Sequence, residues 1–196
     1  MTETFDAPVL VVTDHTGDDT AGYTLTLASA QLLTPARSLT TGPVVAVALN
    51  PTPDLDALSA QGVAEVLVPD LAGHSPRVSA VVADAVRACL PLVEHPAALL
   101  CVSNYRGREV TARLAAQLDS GAAVDVSALS VEGGELRARK SALAGSWTTH
   151  VHVTRGMPVI AVRPSSVESH DAPRPSQPAR RDVDVDFSPE ALAVTV

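Results

Sequence analysis

Three groups of side chains in this sequence have types and spacings that bear on chemistry. Tyr105-Arg106-Gly107-Arg108 stands where a helix begins, so exposed amides, the positive helix end and two guanidinium groups can hold an anion there. The competing reading, which residue type favours, has these arginines meeting carboxylates on this chain or on a partner. Asp14-His15 and Ser103 supply the acid, base and hydroxyl of a nucleophilic site, yet nothing around Ser103 forms the strained elbow that such enzymes need. His150 and His152, two apart on a strand, share one face in a geometry compatible with a metal. No third ligand lies nearby, and they read as surface or partner-facing histidines. Neither GxGxxG nor GxxxxGK[ST] occurs, so neither common phosphate loop is present. Cys89 and Cys101 sit among apolar residues and read as reduced core thiols.

The elements that position these groups are organised around Ala97 to Asp119. Ala97-Ala98-Leu99-Leu100-Cys101-Val102 reads as a buried strand, Ser103 to Gly107 as a polar loop, and Arg108 to Leu118 as a helix whose Val110, Leu114 and Leu118 share one face. In an open parallel sheet, ligands sit beyond the carboxyl ends of such strands. The same unit repeats upstream. Pro8 to Thr13, Val44 to Leu49 and Glu65 to Val68 are short apolar strands. Helical spacing predicts a helix over Tyr23 to Ser38, with Pro35 distorting its end, a short one N-capped by Asp54 and closed by Gly62, and a third over Pro76 to Leu90. After Gly121 the rhythm changes. Val124 to Val131 leads through the paired glycines Gly133-Gly134 into Leu136 to Ala142, a hairpin. Thr149 to Thr154 alternates, and Pro158 to Val162 is apolar. These elements predict an α/β fold: a three-layer, mainly parallel open sheet with helices on both faces, ending in antiparallel strands.

From Pro164 the composition turns to Pro, Ser, Asp and Arg, which predicts a linker over 165–196 too polar to build a core. Within it Val183-Asp184-Val185-Asp186-Phe187 alternates as an edge strand at 183–187 would, and it is expected to pair on the sheet edge of a partner rather than in this core. The chain's 196 residues carry a net charge of -8, and the pI is near 5.1. No basic cluster exceeds Arg180-Arg181, so a nucleic-acid surface is not expected. No apolar run spans a bilayer, and the first residues carry acids where a signal peptide carries bases, so no membrane insertion and a cytoplasmic location are expected.

Taken in order, these segments resemble the N-terminal domain of electron transfer flavoprotein α subunits. The resemblance rests on Val9-Leu10-Val11-Val12 with an acid and His following, on Gly62-Val63-Ala64-Glu65-Val66-Leu67-Val68, and on Gly107-Arg108-Glu109 through Arg113 to Asp119. It continues in Val124-Asp125-Val126, the Ala144-Gly145 turn and Val159-Ile160-Ala161-Val162-Arg163-Pro164. It implies an adenine nucleotide alpha hydrolase-like fold over residues 1–164. It also implies FAD held mainly by a second α-subunit domain, whose Gly-Arg-Gly-rich and Gly-Gln-Thr-Gly segments do not occur here. On this reading 165–196 leads toward that domain, with 183–187 docked on it or on the β subunit, and 1–196 supplies no catalytic, cofactor-binding or metal-binding residue. The resemblance implies an electron carrier subunit rather than an enzyme, with the β subunit as partner and, for the whole protein, dehydrogenase or quinone oxidoreductase redox partners. Departures fall at Ser103-Asn104-Tyr105 and Arg139-Lys140-Ser141, on partner-facing loops. Asp14 with Gly145-Ser146, Val151 and Pro158-Val159 is also similar to universal stress proteins, which implies adenine-nucleotide binding; the Gly-x-x-Gly loop of those proteins is missing, since Ser103 to Arg108 has only Gly107.

Overall fold

The computed structural model describes residues 3–18 and 20–194. Strand β1 (Val9–Thr13) leads into a small antiparallel hairpin, β2 (His15–Asp18) and β3 (Gly22–Leu25), before helix α1 (Leu27–Leu39). Then come β4 (Val44–Ala48), α2 (Leu55–Ala60), β5 (Glu65–Pro69), α3 (Ser79–Cys89), β6 (Ala98–Val102) and α4 (Tyr105–Gln117). The second half holds β7 (Ala122–Glu132), β8 (Glu135–Ala142), β9 (Trp147–Val151), β10 (Val159–Val162), β11 (Ala179–Val183) and α5 (Pro189–Leu192). One nine-stranded sheet has the order β11-β5-β4-β1-β6-β10-β7-β8-β9. From β11 across to β7 every pairing is parallel, while β7–β8 and β8–β9 are antiparallel. This is the expected three-layer α/β architecture.

The central strands are apolar on both sides because both sides are covered. Val9, Val11, Ala46 and Leu100 pack with Leu32, Leu33 and Ala36 of α1 and Leu58 of α2. Their neighbours Leu10, Val45 and Leu99 point to the opposite face and pack with Val82 and Val86 of α3 and Val110 and Leu114 of α4. Alternation along each strand thus serves two cores at once.

Several element boundaries differ from the sequence-based expectation, among them the start of α3, which lies at Ser79 rather than Pro76. The helix predicted from Tyr23 starts at Leu27, because Tyr23 to Leu25 pair with β2 and the Thr26 hydroxyl accepts the Ser29 amide at 3.2 Å as N-cap. Pro35 lies inside α1, and the helix runs on to Leu39. Tyr105-Arg106-Gly107 is the first turn of α4 rather than loop. Asn104 caps it, its Oδ1 accepting the Gly107 amide at 2.8 Å. The strand predicted over Thr149 to Thr154 begins at Trp147 and stops at Val151.

The largest difference lies in the tail. Arg37 donates to the His170 carbonyl at 2.5 Å, the Ala172 amide to the Ala60 carbonyl at 2.8 Å, and the Ser176 hydroxyl to the Val63 carbonyl at 2.6 Å. Strapped across α1 and α2 in this way, the chain reaches β5. The edge strand expected at 183–187 is instead Ala179–Val183, and it pairs with this chain's own β5 in register from Ala179 opposite Glu65 to Val183 opposite Pro69. Beyond it, the Ser188 amide and hydroxyl donate to Asp84 of α3 at 2.8 and 2.7 Å, which seats α5 with Ala191 fully buried. A segment too polar to form a core of its own is anchored through its backbone to one already built.

Candidate functional site

Strand order reverses at β1, which has β4 on one side and β6 on the other, and the crevice beyond their carboxyl ends is where such a sheet binds ligands. Asp14 follows β1 and Ser103 follows β6. Arg106, from the first turn of α4, crosses this crevice and forms an ion pair with Asp14. Its other terminal nitrogen donates to the Pro76 carbonyl at 2.9 Å. The crevice that remains, lined by Val12, Asp14, Cys101, Arg106 and Gly107, has a volume of about 10 Å³. That admits about one water molecule and no nucleotide.

The helix start that was a candidate anion site is closed from within. The Gly107 amide is occupied by Asn104. Gly107 itself serves packing: a Cβ there would lie 1.8 Å from the Val102 carbonyl oxygen, so only glycine lets α4 begin this close to β6. Of the two arginines, Arg106 meets a carboxylate of this chain, and Arg108 donates from Nε to the Ser103 hydroxyl at 3.3 Å. Ser103, 4% exposed, also accepts the Asp125 amide at 3.1 Å through the same Oγ. It ties β6 to β7, which is the work of a structural hydroxyl. Asp125 in turn receives two hydrogen bonds from Arg163, at 2.8 and 2.7 Å, and these hold its carboxyl below the usual range.

The other candidates lie apart. His15 opens β2, and both its ring nitrogens are buried without a hydrogen-bond partner; burial pushes its pKa down, against the opposing pull of Asp54 and Asp14. Gly145 and Ser146 form the turn between β8 and β9, at the far edge of the sheet from Asp14. With strands about 4.8 Å apart, β9 is roughly 24 Å from β1. The nucleotide site that would need Asp14 and Gly145-Ser146 together is not assembled. His150 faces Arg139 across the β8–β9 ladder, and His152 lies beyond the end of β9. Among the described residues no three His, Cys, Asp or Glu side chains gather as a metal site would require. Burial pushes the Cys89 and Cys101 thiols up to about 12, so both are inert at neutral pH.

A cavity that sequence reasoning missed lies beyond the carboxyl ends of β4, β5 and β11. Its volume is about 560 Å³, and Leu49, Leu71, His74, Asp70, Arg180 and Asp184 are among its walls. The Arg180 guanidinium is already paired with Asp182 at 2.7 Å, and the remaining charged walls include Asp70 and Asp184, so the lining does not suit a phosphate. No local sequence signal marks this cavity, since β11 reaches it only through the fold of the tail. Among the described residues no helix is long and apolar enough to cross a membrane.

Comparison with known proteins agrees with this architecture. Residues 10–188 match the family model described as "Electron transfer flavoprotein domain". Two proteins named electron transfer flavoprotein subunit alpha, from Mycobacterium tuberculosis strains CDC 1551 / Oshkosh and ATCC 25618 / H37Rv, are each 34% identical over 171 residues, covering 85% of this chain and 50% of the relative. One of the same name from Mycobacterium leprae (strain TN) is 32% identical over 168 residues, with the same coverage. The chain therefore spans about half the length of the curated relatives it matches. A doubly covered sheet that fills its own switch-point crevice, together with a family match running from β1 to the tail, leads to one conclusion: the chain belongs to the electron transfer flavoprotein family.

Proposed function

We propose that this chain is the N-terminal scaffold domain of an electron transfer flavoprotein α subunit. With the β subunit it supports a flavin domain through which electrons pass from dehydrogenases to an acceptor such as a quinone oxidoreductase. The observation that carries this reading is the Arg106–Asp14 pair within a family-matched sheet, because it fills the crevice where a cofactor would enter. The residues here do not fit FAD. The α4 amide is capped by Asn104 and the larger cavity has no unpaired cation among the residues that line it, so no step through the flavin is assigned to them. On this reading the FAD is held mainly by the part of the subunit that the matched relatives have beyond this span. The role of the chain is electron carriage by assembly rather than catalysis, and its place is the cytoplasm.

The test is assembly. Mixed with a β subunit, the chain is expected to co-elute as a one-to-one complex in size-exclusion chromatography with light scattering. Calorimetric titration of the chain alone with FAD, AMP or ATP is expected to give no micromolar affinity. Separate elution of the two proteins overturns the reading, and tight one-to-one binding of ATP replaces it with that of a nucleotide-binding domain.

A further inference from the structure

The cavity beyond the carboxyl ends of β4, β5 and β11 is a space of about 560 Å³ that a role in assembly leaves unused. Its size falls within the range of small-molecule sites. Four separate pieces of chain enclose it: Tyr23 from the β2–β3 hairpin, Leu49 to Pro51 after β4, Asp70 to Pro76 between β5 and α3, and the segment that carries Arg180 and Asp184. Leu49, Val68 and Val183 reach it from the core, while half-buried Leu71 and Pro76 stand as apolar walls. Pro51, Pro69 and Pro76 fix the backbone at three points around it, so the space is preformed. The His74 ring meets Phe187 edge-on, with centroids 4.9 Å apart, which holds one wall to the tail.

Charge selects what enters. Among the described residues that line the cavity, the carboxylates of Asp70, Asp182 and Asp184 stand against the single guanidinium of Arg180. Asp182 lies opposite Val68 in the β11–β5 register. Arg180 donates from Nε and from a terminal nitrogen to the same oxygen, Asp182 Oδ1, at 3.2 and 2.7 Å, so Oδ2 is left over. Asp70 Oδ1 accepts the Ala72 amide at 2.8 Å, which fixes that carboxylate. Asp184 is exposed, and among the described residues it has no hydrogen bond or ion pair. No three carboxylate, imidazole or thiol groups gather there as a metal ion would require. A guest that suits both the charge and the walls has a positive head on an apolar stem.

We propose that this cavity binds a small organic cation, a primary ammonium group on an aliphatic stem. The ammonium donates to Asp184 and to Asp182 Oδ2, and the stem lies against Leu71 and Pro76. The site is independent of whether the chain joins a β subunit. The experiment is calorimetric titration of the intact chain with butylamine, hexylamine, hexanol and hexanoate at neutral pH, with amide NMR shifts to locate the binding. Hexylamine is expected to bind one-to-one with a Kd of about 1 mM or tighter. Affinity should rise about fourfold for each methylene added from butylamine to hexylamine. Hexanol and hexanoate should bind at least about tenfold more weakly than hexylamine, and shifts should centre on residues 49–51, 70–76 and 180–184. Asp184→Asn is expected to weaken hexylamine binding about fivefold, as loss of a partly exposed ion pair does. Asp184→Lys, which puts an ammonium of its own in the cavity, should weaken it further. Asp56→Asn, at an exposed carboxylate on α2 outside the cavity, should stay within about twofold. All three variants should keep the parent's circular dichroism and thermal midpoint. Absence of saturable binding overturns the proposal, as does hexanol binding as tightly as hexylamine. Equal affinity in the parent and both Asp184 variants, an equal loss in Asp56→Asn, or shifts scattered over the surface also overturns it. If a blocked lysine tripeptide binds at least about tenfold more tightly than hexylamine, the cavity receives a protein side chain and the small-molecule site is overturned.

Discussion

Gly107 and His15 are two single side chains that decide local behaviour. Gly107 lets the first turn of α4 rest against the carbonyl of Val102, so Gly107→Ala drives a methyl into backbone that cannot rotate away. The expected loss is about 3 kcal/mol of unfolding free energy in urea, at the upper end for overpacking; an unchanged midpoint would show that α4 can slide. His15 carries the pH dependence. Burial lowers its folded pKa below the ordinary value of about 6.5, so between those two values the unfolded chain binds a proton that the folded chain refuses. Stability is therefore full above 6.5 and declines as pH falls from there toward the folded pKa. In His15→Gln that part of the slope is expected to vanish, as read from urea midpoints measured between pH 7.5 and about 5, a range in which an unperturbed His titrates. Equal slopes in the two proteins would remove the assignment.

At the scale of elements, α5 is held on α3 by apolar packing of Ala191 against Ala80 and Val81 and by one carboxylate. Asp84 is 1% exposed and accepts from both the amide and the hydroxyl of Ser188. Asp84→Ala is expected to cost about 2 kcal/mol, since a buried group that loses its partner forfeits more than an average hydrogen bond. Hydrogen exchange should show the loss as early opening of residues 188–192 with β1 still protected. The parallel strands were legible because a strand covered on both faces must be apolar throughout, as Val44 to Ala48 and Ala98 to Val102 are. Gly133-Gly134 likewise announced its hairpin, since both take positive φ there. Tyr23 to Leu25 misled, because Leu25 continues the spacing of α1 while its backbone pairs with His15. β11 was illegible for a different reason. Ala-Arg-Arg-Asp-Val is exposed at every position but Val183, so it joins the sheet through backbone hydrogen bonds that leave no pattern in side chains. The closed crevice was half legible: the arginines of 105–108 were singled out, but the match of Arg106 with Asp14 spans 92 residues and follows only from the fold.

For the whole molecule, the tail decides whether the sheet is finished. Truncation after Pro164 removes β11 and α5 and strips the cover from β5. The thermal midpoint is then expected to fall by roughly 10 °C, equivalent to about 3 kcal/mol for a chain of this size, and the exposed edge should make the shortened protein self-associate in sedimentation velocity. Retention of the parent midpoint and of a monomer would mean that the strap is decoration. The placement of β11 also has a consequence for biosynthesis. Val66 must wait for Arg180, its partner, to be translated. On the ribosome the nascent sheet therefore carries one open margin until nearly all of this span has emerged, and whatever holds that margin apart from neighbouring nascent chains meanwhile must let go when the last strand arrives.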